Sequence, residues 1–185
     1  MSSNRILIAG PSGSGKTLLA KYFKERGVNA IDADGAGIGI WCDKAGNEFE
    51  PAPGMEMSLG QWAFEMGLRW NWDPLKLKLL LDKNPEIYLF GNAYNIYYLA
   101  GFFDRKYFLD ADAGQILGRL ISRSDSAMNH HGWGDTEEQR IVILNELEAE
   151  REKAEHAGFE FVQARLTPKQ IFNIIHLKVN AAGCI

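Results

Sequence analysis

Residues 10–17 of this chain are Gly-Pro-Ser-Gly-Ser-Gly-Lys-Thr, which fits the pattern G-x-x-x-x-G-K-[ST] at every defined position. The apolar run Arg5–Ala9 before this stretch predicts a buried strand, and the apolar spacing after it predicts a helix over 16–26 that ends at Gly27. A strand that turns through glycines into a helix presents backbone N–H groups and the positive end of the helix dipole to one point. The stretch therefore predicts a site for phosphate groups.

This P-loop pattern also predicts which atoms contact a nucleotide. Lys16 is expected to reach the β- and γ-phosphates, and the Thr17 hydroxyl to ligate Mg²⁺. The alternative is a glycine-rich turn that only joins a strand to a helix. The remaining residues expected around the phosphates are Gly10, Pro11, Ser12, Gly13, Ser14 and Gly15.

The rest of the chain alternates short apolar runs with segments of helical spacing. The runs are continuous rather than alternating, which is typical of parallel strands covered on both faces. Asp and Thr residues with N-cap spacing begin several of the helical segments. The pattern predicts an α/β fold with a doubly wound five-stranded parallel sheet. Besides the first, the strands are expected at Val28–Ile31, Glu86–Phe90, Lys106–Leu109 and Phe159–Gln163, and helix starts at Asp73, Asp112, Thr136 and Thr167.

Two segments interrupt this alternation. Gly35–Trp72 is rich in glycine and then in aromatic residues, and it shows no clear strand. Ser122–Asp135 is polar and lies between two predicted helices. We expect a single domain over residues 1–185, with a flap near 35–72 and a lid near 122–136.

Composition excludes several classes of protein. The 185 residues are 46% hydrophobic, too apolar for a disordered chain, and 20 Lys+Arg against 24 Asp+Glu give a net charge of −4. That charge provides no general attraction to nucleic acid or to anionic membranes, and no run of about 18 apolar residues predicts a membrane span. Cys42 and Cys184 have neither metal-ligand spacing nor a disulfide pattern. We expect a cytoplasmic protein with no nucleic-acid or membrane partner, and the oligomeric state stays open.

Two carboxylates follow the second predicted strand, in the segment Asp32-Ala33-Asp34. Residues two apart at a strand end point to the same side, so both can face the P-loop. Asp32 is the expected metal ligand, and Asp34, which is nearer the flap, is expected to accept the proton of an incoming hydroxyl. The alternative is a solvated turn, in which Asp and Gly are common.

The P-loop, the D-x-D segment, the arginine-containing helix and the polar lid together resemble the small P-loop kinases, which include shikimate, nucleoside monophosphate and gluconate kinases. This resemblance implies ATP as the phosphoryl donor and a small-molecule acceptor. It implies that Arg119 and Arg123, on one face of the predicted helix Gln115–Arg123, contact the phosphates, with Arg123 stabilising the transferring group. It also implies that the loop around Arg165 packs on the adenine.

The acceptor segments depart from those families. The glycine triplet typical of shikimate kinases is replaced by Phe90-Gly91-Asn92-Ala93, and the Asp-Gly-aromatic-Pro-Arg segment of nucleoside monophosphate kinases is absent. Gly91 remains as a place where backbone could approach a substrate. Arg69, among three tryptophans in Gln61–Trp72, could meet an anionic group, while the tryptophans either stack on the acceptor or pack the flap onto the core.

Other features point to structural roles. His130-His131 has no spaced third ligand for a metal. Asp110 imitates a Walker B aspartate, but its strand is remote from the first strand in the small kinases, which favours a role at a helix start. The chain lacks an Asn-Lys-x-Asp guanine motif. We therefore expect an ATP- and Mg²⁺-dependent kinase for a nucleoside, nucleotide or sugar-type acceptor. The alternative is a nucleotide-binding switch or slow NTPase acting through a protein partner.

Overall fold

The computed structural model describes residues 4–55, 57–124 and 133–181. Its strands are β1 (Asn4–Ala9), β2 (Ala30–Asp32), β3 (Gly39–Cys42), β4 (Glu48–Phe49), β5 (Arg69–Trp72), β6 (Glu86–Phe90), β7 (Arg105–Asp110) and β8 (Glu160–Gln163). Its α-helices are α1 (Lys16–Lys24), α2 (Leu59–Glu65), α3 (Pro74–Lys83), α4 (Ile96–Leu99), α5 (Ala113–Ser124), α6 (Glu137–His156) and α7 (Pro168–Ala181).

The main sheet has five strands in the order β2-β6-β1-β7-β8, and every neighbouring pair is parallel. Its central strand β1 is covered on both faces, since Ile6, Leu7 and Ile8 are completely buried. One face packs against apolar residues of α1, α5 and α7, and the other against residues of α3 and α4. The doubly wound α/β fold expected from the continuous apolar runs is therefore confirmed.

The predicted helix starts are also confirmed. Asp73 Oδ1 accepts hydrogen bonds from Leu75 N at 2.8 Å and Lys76 N at 3.2 Å, so this side chain caps α3. Asp112 Oδ1 accepts from Gln115 N at 2.8 Å and fixes the start of α5 in the same way. Both caps lie just after strands, which is why the chain turns back over the sheet at these points.

The expectation that residues 35–72 contain no clear strand is wrong. β3 pairs antiparallel with both β4 and β5, which gives a second, three-stranded sheet in the order β4-β3-β5. These strands are two to four residues long, and β5 comes from a part of the chain far from β3. Such short and partly polar strands produce no apolar run that a sequence pattern could detect.

The expectation that the strand before Asp110 lies far from the first strand is also wrong. β7 is hydrogen-bonded directly to β1, with Ala9 opposite Phe108. The predicted lid falls only partly within the structure, because Ser122 belongs to α5 while residues 125–132, with His130 and His131, lie outside the described residues. In the ranges that are described, no helix is both long and apolar enough to cross a membrane.

Candidate active site

The P-loop lies between β1 and α1, as the motif requires. Gly13 and Gly15 have φ angles of 81° and 99°, in the left-handed region that other residues rarely adopt. Ser14 is only 3% exposed, and its Oγ has no hydrogen-bond partner among the described residues. The loop is thus held in a conformation that only its glycines allow, with a buried hydroxyl available to a ligand.

Lys16 is folded back onto the loop that precedes it. Its Nζ donates to Gly10 O at 2.8 Å and to Pro11 O at 2.9 Å. Burial lowers the pKa of Lys16 to about 8, although the carboxylates of Asp34 and Asp32 favour its charged form. Burial makes the charged form of Lys16 costly, so a polyanion beside it would stabilise that charge strongly. The phosphates of a nucleotide would supply such a polyanion.

Asp32 and Asp34 lie at the end of β2 in a short 3₁₀ turn, and Ala33 between them is completely buried. Asp32 Oδ1 accepts a hydrogen bond from Asp34 N at 3.2 Å. Asp34 keeps contact with solvent at the rim, yet its pKa is raised by desolvation and by Asp32, against the opposing effects of Lys16 and Trp70. Because both carboxylates also favour the charged form of Lys16, the three charged groups lie near one another at the end of the P-loop.

The oxygen ligands in this cleft suit Mg²⁺. Thr17 is exposed at the start of α1, and the Asp32 carboxylate is near enough to Lys16 to favour the charged form of that lysine. Mg²⁺ usually takes one or two protein oxygens and completes its shell with phosphate and water. Within residues 4–55, 57–124 and 133–181, no group of three or more His, Cys, Asp or Glu side chains could hold a metal ion. A magnesium ion here would thus depend on the nucleotide for most of its ligands.

Arg119, predicted to contact phosphates, is bound to backbone. Its guanidinium donates to Gly13 O at 3.3 Å, to Ser14 O at 3.0 Å and to Ala164 O at 2.7 Å. It therefore connects the P-loop to the loop after β8. Arg165, on that second loop, is exposed to solvent. Both residues border the predicted nucleotide site, and their contacts with ATP stay a prediction.

Arg123 lies near Lys16, since its charge contributes to lowering the pKa of Lys16. Its Nη2 donates to Trp133 O and forms an ion pair with Asp135 at 3.1 Å. Ser12 Oγ donates to the same Trp133 oxygen at 2.8 Å. The backbone at the base of the predicted lid thus joins the P-loop to the last turn of α5.

The sequence interpretation missed a role for Gln139. Thr136 Oγ1 accepts from Gln139 N at 3.3 Å, which is one half of the predicted capping box. The Gln139 side chain is instead completely buried, where Oε1 accepts from Gly134 N at 2.8 Å and Asp135 N at 3.1 Å. Its Nε2 donates to Gln61 Oε1 in α2 at 3.3 Å. One side chain therefore ties the base of the predicted lid to the flap, and the capping-box spacing was the only signal for it.

The flap brings tryptophans to the carboxylate end of the cleft. Trp70 lies 4.8 Å from Trp41, ring centre to ring centre, and its indole contributes to lowering the pKa of Asp34. The cause of this effect is a hydrogen bond from the Trp70 indole N–H toward the Asp34 carboxylate. Trp72 is completely buried in the core. The two tryptophans thus have different roles: Trp72 packs the flap against the core, and Trp70 lies beside the Asp34 carboxylate.

Gly91 and Arg69, which were predicted to contact the acceptor, have structural contacts that account for their residue types. A Cβ at Gly91 would lie 2.6 Å from Cζ2 of Trp72 and 2.7 Å from Cβ of Ala33, so packing alone requires glycine there. The Arg69 guanidinium lies 3.9 Å from the centre of the Tyr94 ring, in a cation–π contact. Contact of either residue with a substrate stays a prediction.

Asp110 lies at the end of β7, next to β1, but its carboxylate is paired with Arg151 at 3.3 Å. The helix-start role belongs to Asp112, which caps α5. Asp110 therefore fixes α6 to the edge of the sheet, a connection that the sequence did not indicate.

Comparison with family models and with curated protein sequences gives no match. Among solved structures, 91 chains match, including a deoxyadenosine kinase from M. mycoides with bound dATP. That structure is 18% identical, the match covers 95% of this chain and 99% of that chain, and the TM-score is 0.50. At this identity the match concerns the fold: the chain shares the α/β fold of that structure.

Proposed function

We propose that this protein is an ATP- and Mg²⁺-dependent kinase that transfers the γ-phosphoryl group to a hydroxyl of a small metabolite. The observation that carries the proposal is that the Asp34 carboxylate lies close enough to Lys16, the lysine of the P-loop, for each to shift the pKa of the other. A nucleotide switch needs the lysine and a metal ligand, whereas a kinase also needs a carboxylate where the acceptor arrives.

In the proposed reaction, the acceptor oxygen attacks the γ-phosphorus while the bond to the β–γ bridging oxygen breaks. Asp34 takes the proton of the acceptor hydroxyl. The P-loop amides and Lys16 hold the phosphates, and Arg123 closes over the transferring group. Thr17 and Asp32 would hold Mg²⁺, which neutralises charge on the phosphate oxygens when it is bound.

The test is ADP release from ATP–Mg²⁺ with and without a series of nucleosides, nucleotides, sugars and sugar acids. A kinase is expected to be stimulated strongly by at least one acceptor, with formation of the phosphorylated product. The matched variant Asp34→Asn should retain nucleotide binding and lose that stimulation. Slow hydrolysis that only a protein partner accelerates, or that nothing accelerates, would contradict the proposal and favour a switch or slow NTPase.

A further inference from the structure

We propose that Trp70 and Asn95 are positioning residues for the phosphoryl transfer. The indole N–H of Trp70 orients the Asp34 carboxylate toward the acceptor hydroxyl, and the side-chain amide of Asn95 fixes the strand that carries Trp70. Neither residue has to touch the acceptor. The inference rests on the proposed kinase function and adds to it two residues that act through Asp34.

The first argument is the way in which Asp34 is held. Its backbone N–H donates to Asp32 Oδ1 at 3.2 Å, which fixes the main chain of the turn but not the Asp34 side chain. A hydrogen bond from the Trp70 indole N–H runs toward the carboxylate itself. A general base acts only when its oxygen points at the proton that it removes. The direction of the Asp34 carboxylate therefore depends on the position of the Trp70 indole.

The second argument is the packing of the Trp70 ring. A Cβ at Gly39 would lie 1.8 Å from Cζ2 of Trp70, so only glycine lets the indole lie over this part of β3. Trp41, which is opposite Trp70 in the pairing of β3 and β5, lies 4.8 Å away between ring centres. These two contacts restrict rotation of the indole, so that its N–H keeps one direction.

The third argument is the pair of hydrogen bonds between Asn95 and β5. Asn95 Oδ1 accepts from Trp72 N at 2.9 Å, and its Nδ2 donates to Trp72 O at 2.8 Å. The backbone N–H of the preceding residue, Tyr94, donates to Trp70 O at 2.8 Å. The loop after β6 thus takes the place of a neighbouring strand along β5. It fixes the backbone of Trp70 and of the residue two positions later, which faces the same side of the strand.

The fourth argument is that Asn95 gives up its usual local contact. It occupies the N-cap position of α4, where an asparagine side chain normally accepts a hydrogen bond from the first turn of the helix. Among the residues that the structure describes, its side chain forms no such cap, and both ends of the amide are bonded to Trp72. The same loop is fixed to the main sheet, since Gly91 N donates to Ile8 O at 3.1 Å. Contacts therefore connect β1, which leads into the P-loop, with the strand that carries Trp70.

The experiment measures acceptor-dependent turnover at saturating ATP–Mg²⁺ with the most active compound of the acceptor series. Trp70→Phe keeps a ring over Gly39 but removes the N–H, and Asn95→Ala removes both hydrogen bonds to Trp72. Each is expected to lower kcat about tenfold or more, because a catalytic group displaced by about 1 Å loses much of its effect. KM for the acceptor should change less than kcat, and the dissociation constant of ATP by less than about twofold.

A double-mutant cycle tests whether both residues act through Asp34. In the Asp34→Asn protein, which lacks the base, Trp70→Phe and Asn95→Ala should each lower the remaining turnover by less than about twofold. Residues that only support the fold would lower turnover by the same factor with and without the base, because independent effects are additive in free energy.

Asn29→Ala is the matched control. Asn29 Nδ2 donates to Asn84 Oδ1 at 3.1 Å and to Glu86 O at 2.8 Å, so this substitution also removes two side-chain hydrogen bonds, but at the other end of the sheet. Its kcat should stay within about twofold of the wild-type value. If Asn95→Ala does not fold, Asn95→Asp takes its place, since it keeps the oxygen that accepts from Trp72 N.

The outcomes separate this inference from the kinase function. Losses of kcat no larger than that of Asn29→Ala, or equally large in the Asp34→Asn protein, overturn the inference and leave the kinase function intact. An effect of one variant without the other removes the second residue from the assignment. If no acceptor stimulates the wild-type protein, the kinase function itself is wrong, and the inference that rests on it is wrong as well.

Discussion

The two halves of the cleft are built in different ways. The proposed nucleotide half is formed largely by one contiguous stretch, residues 10–17, and Arg119 braces it through backbone carbonyls. The proposed acceptor half combines the turn after β2 with the flap, whose second sheet pairs β3 with β5, two strands that are distant in sequence. In the proposed function, phosphate would therefore be recognised by local backbone geometry, and the acceptor by side chains that only the tertiary fold brings together.

The largest expected effect lies in the nucleotide half. Lys16→Ala should lower phosphoryl transfer by about 10²-fold or more, because it removes a charge that contacts the phosphates in the transition state. Loss of ADP release at saturating ATP is the measurement. Lys21→Ala is the matched control, since Lys21 lies on the same helix with its side chain in solvent. Activity of Lys16→Ala within about twofold of the control would contradict the assigned role.

The second prediction separates the two halves at Asp32 and Asp34. Asp34→Asn should lower acceptor-dependent turnover by about 10²-fold, the usual contribution of a general base, and spare background ATP hydrolysis. Asp32→Asn should damage both reactions and raise the Mg²⁺ concentration needed for half-maximal activity, because Asp32 is assigned to the metal. Background hydrolysis and acceptor-driven turnover are measured across a Mg²⁺ titration. Equal losses in every assay would leave a shared metal site and remove the division between the halves.

The contrast between local backbone geometry and long-range pairing also determines how much could be predicted from the sequence. The five main strands, the helix caps and the P-loop all depend on short-range patterns, and the structure contains them close to the expected positions. The nearness of Lys16 to the two aspartates was predicted from one rule, that the carboxyl ends of parallel strands meet at the same edge of the sheet.

What sequence reasoning missed depends on pairings across long separations. β3 and β5 become strands only by pairing with each other, and neither has a periodic apolar pattern. Gly39 and Gly91 have ordinary sequence contexts, and their need for glycine arises from Trp70 and Trp72, which pack against them. The burial of Gln139 was equally invisible, since its spacing indicated a helix cap at the surface.

Gln139 is expected to couple the nucleotide half of the cleft to the acceptor half. Its Oε1 holds the backbone at Gly134 and Asp135, next to the Trp133 carbonyl that Ser12 of the P-loop contacts. Its Nε2 meets Gln61 of the flap helix α2. These hydrogen bonds therefore form a continuous connection from the P-loop to the flap. A substitution at one end can change the binding properties at the other end.

A double-mutant cycle measures this connection. Gln139→Leu removes the oxygen that accepts from the buried Gly134 N–H and the partly buried Asp135 N–H, and should lower the free energy of unfolding by about 1–3 kcal/mol. Gln61→Ala removes only the partner in the flap. If the hydrogen bond between Gln139 and Gln61 connects the halves, the two substitutions should have non-additive effects on kcat/KM for the acceptor. The expected departure from additivity is about twofold or more, which is the lower end of the coupling found between residues in contact. The control cycle pairs Gln139→Leu with Gln170→Ala, a glutamine that caps α7 through Thr167, and should be additive. Additivity in both cycles would mean that the flap and the P-loop act independently, because the hydrogen bond between Gln139 and Gln61 then transmits nothing between them.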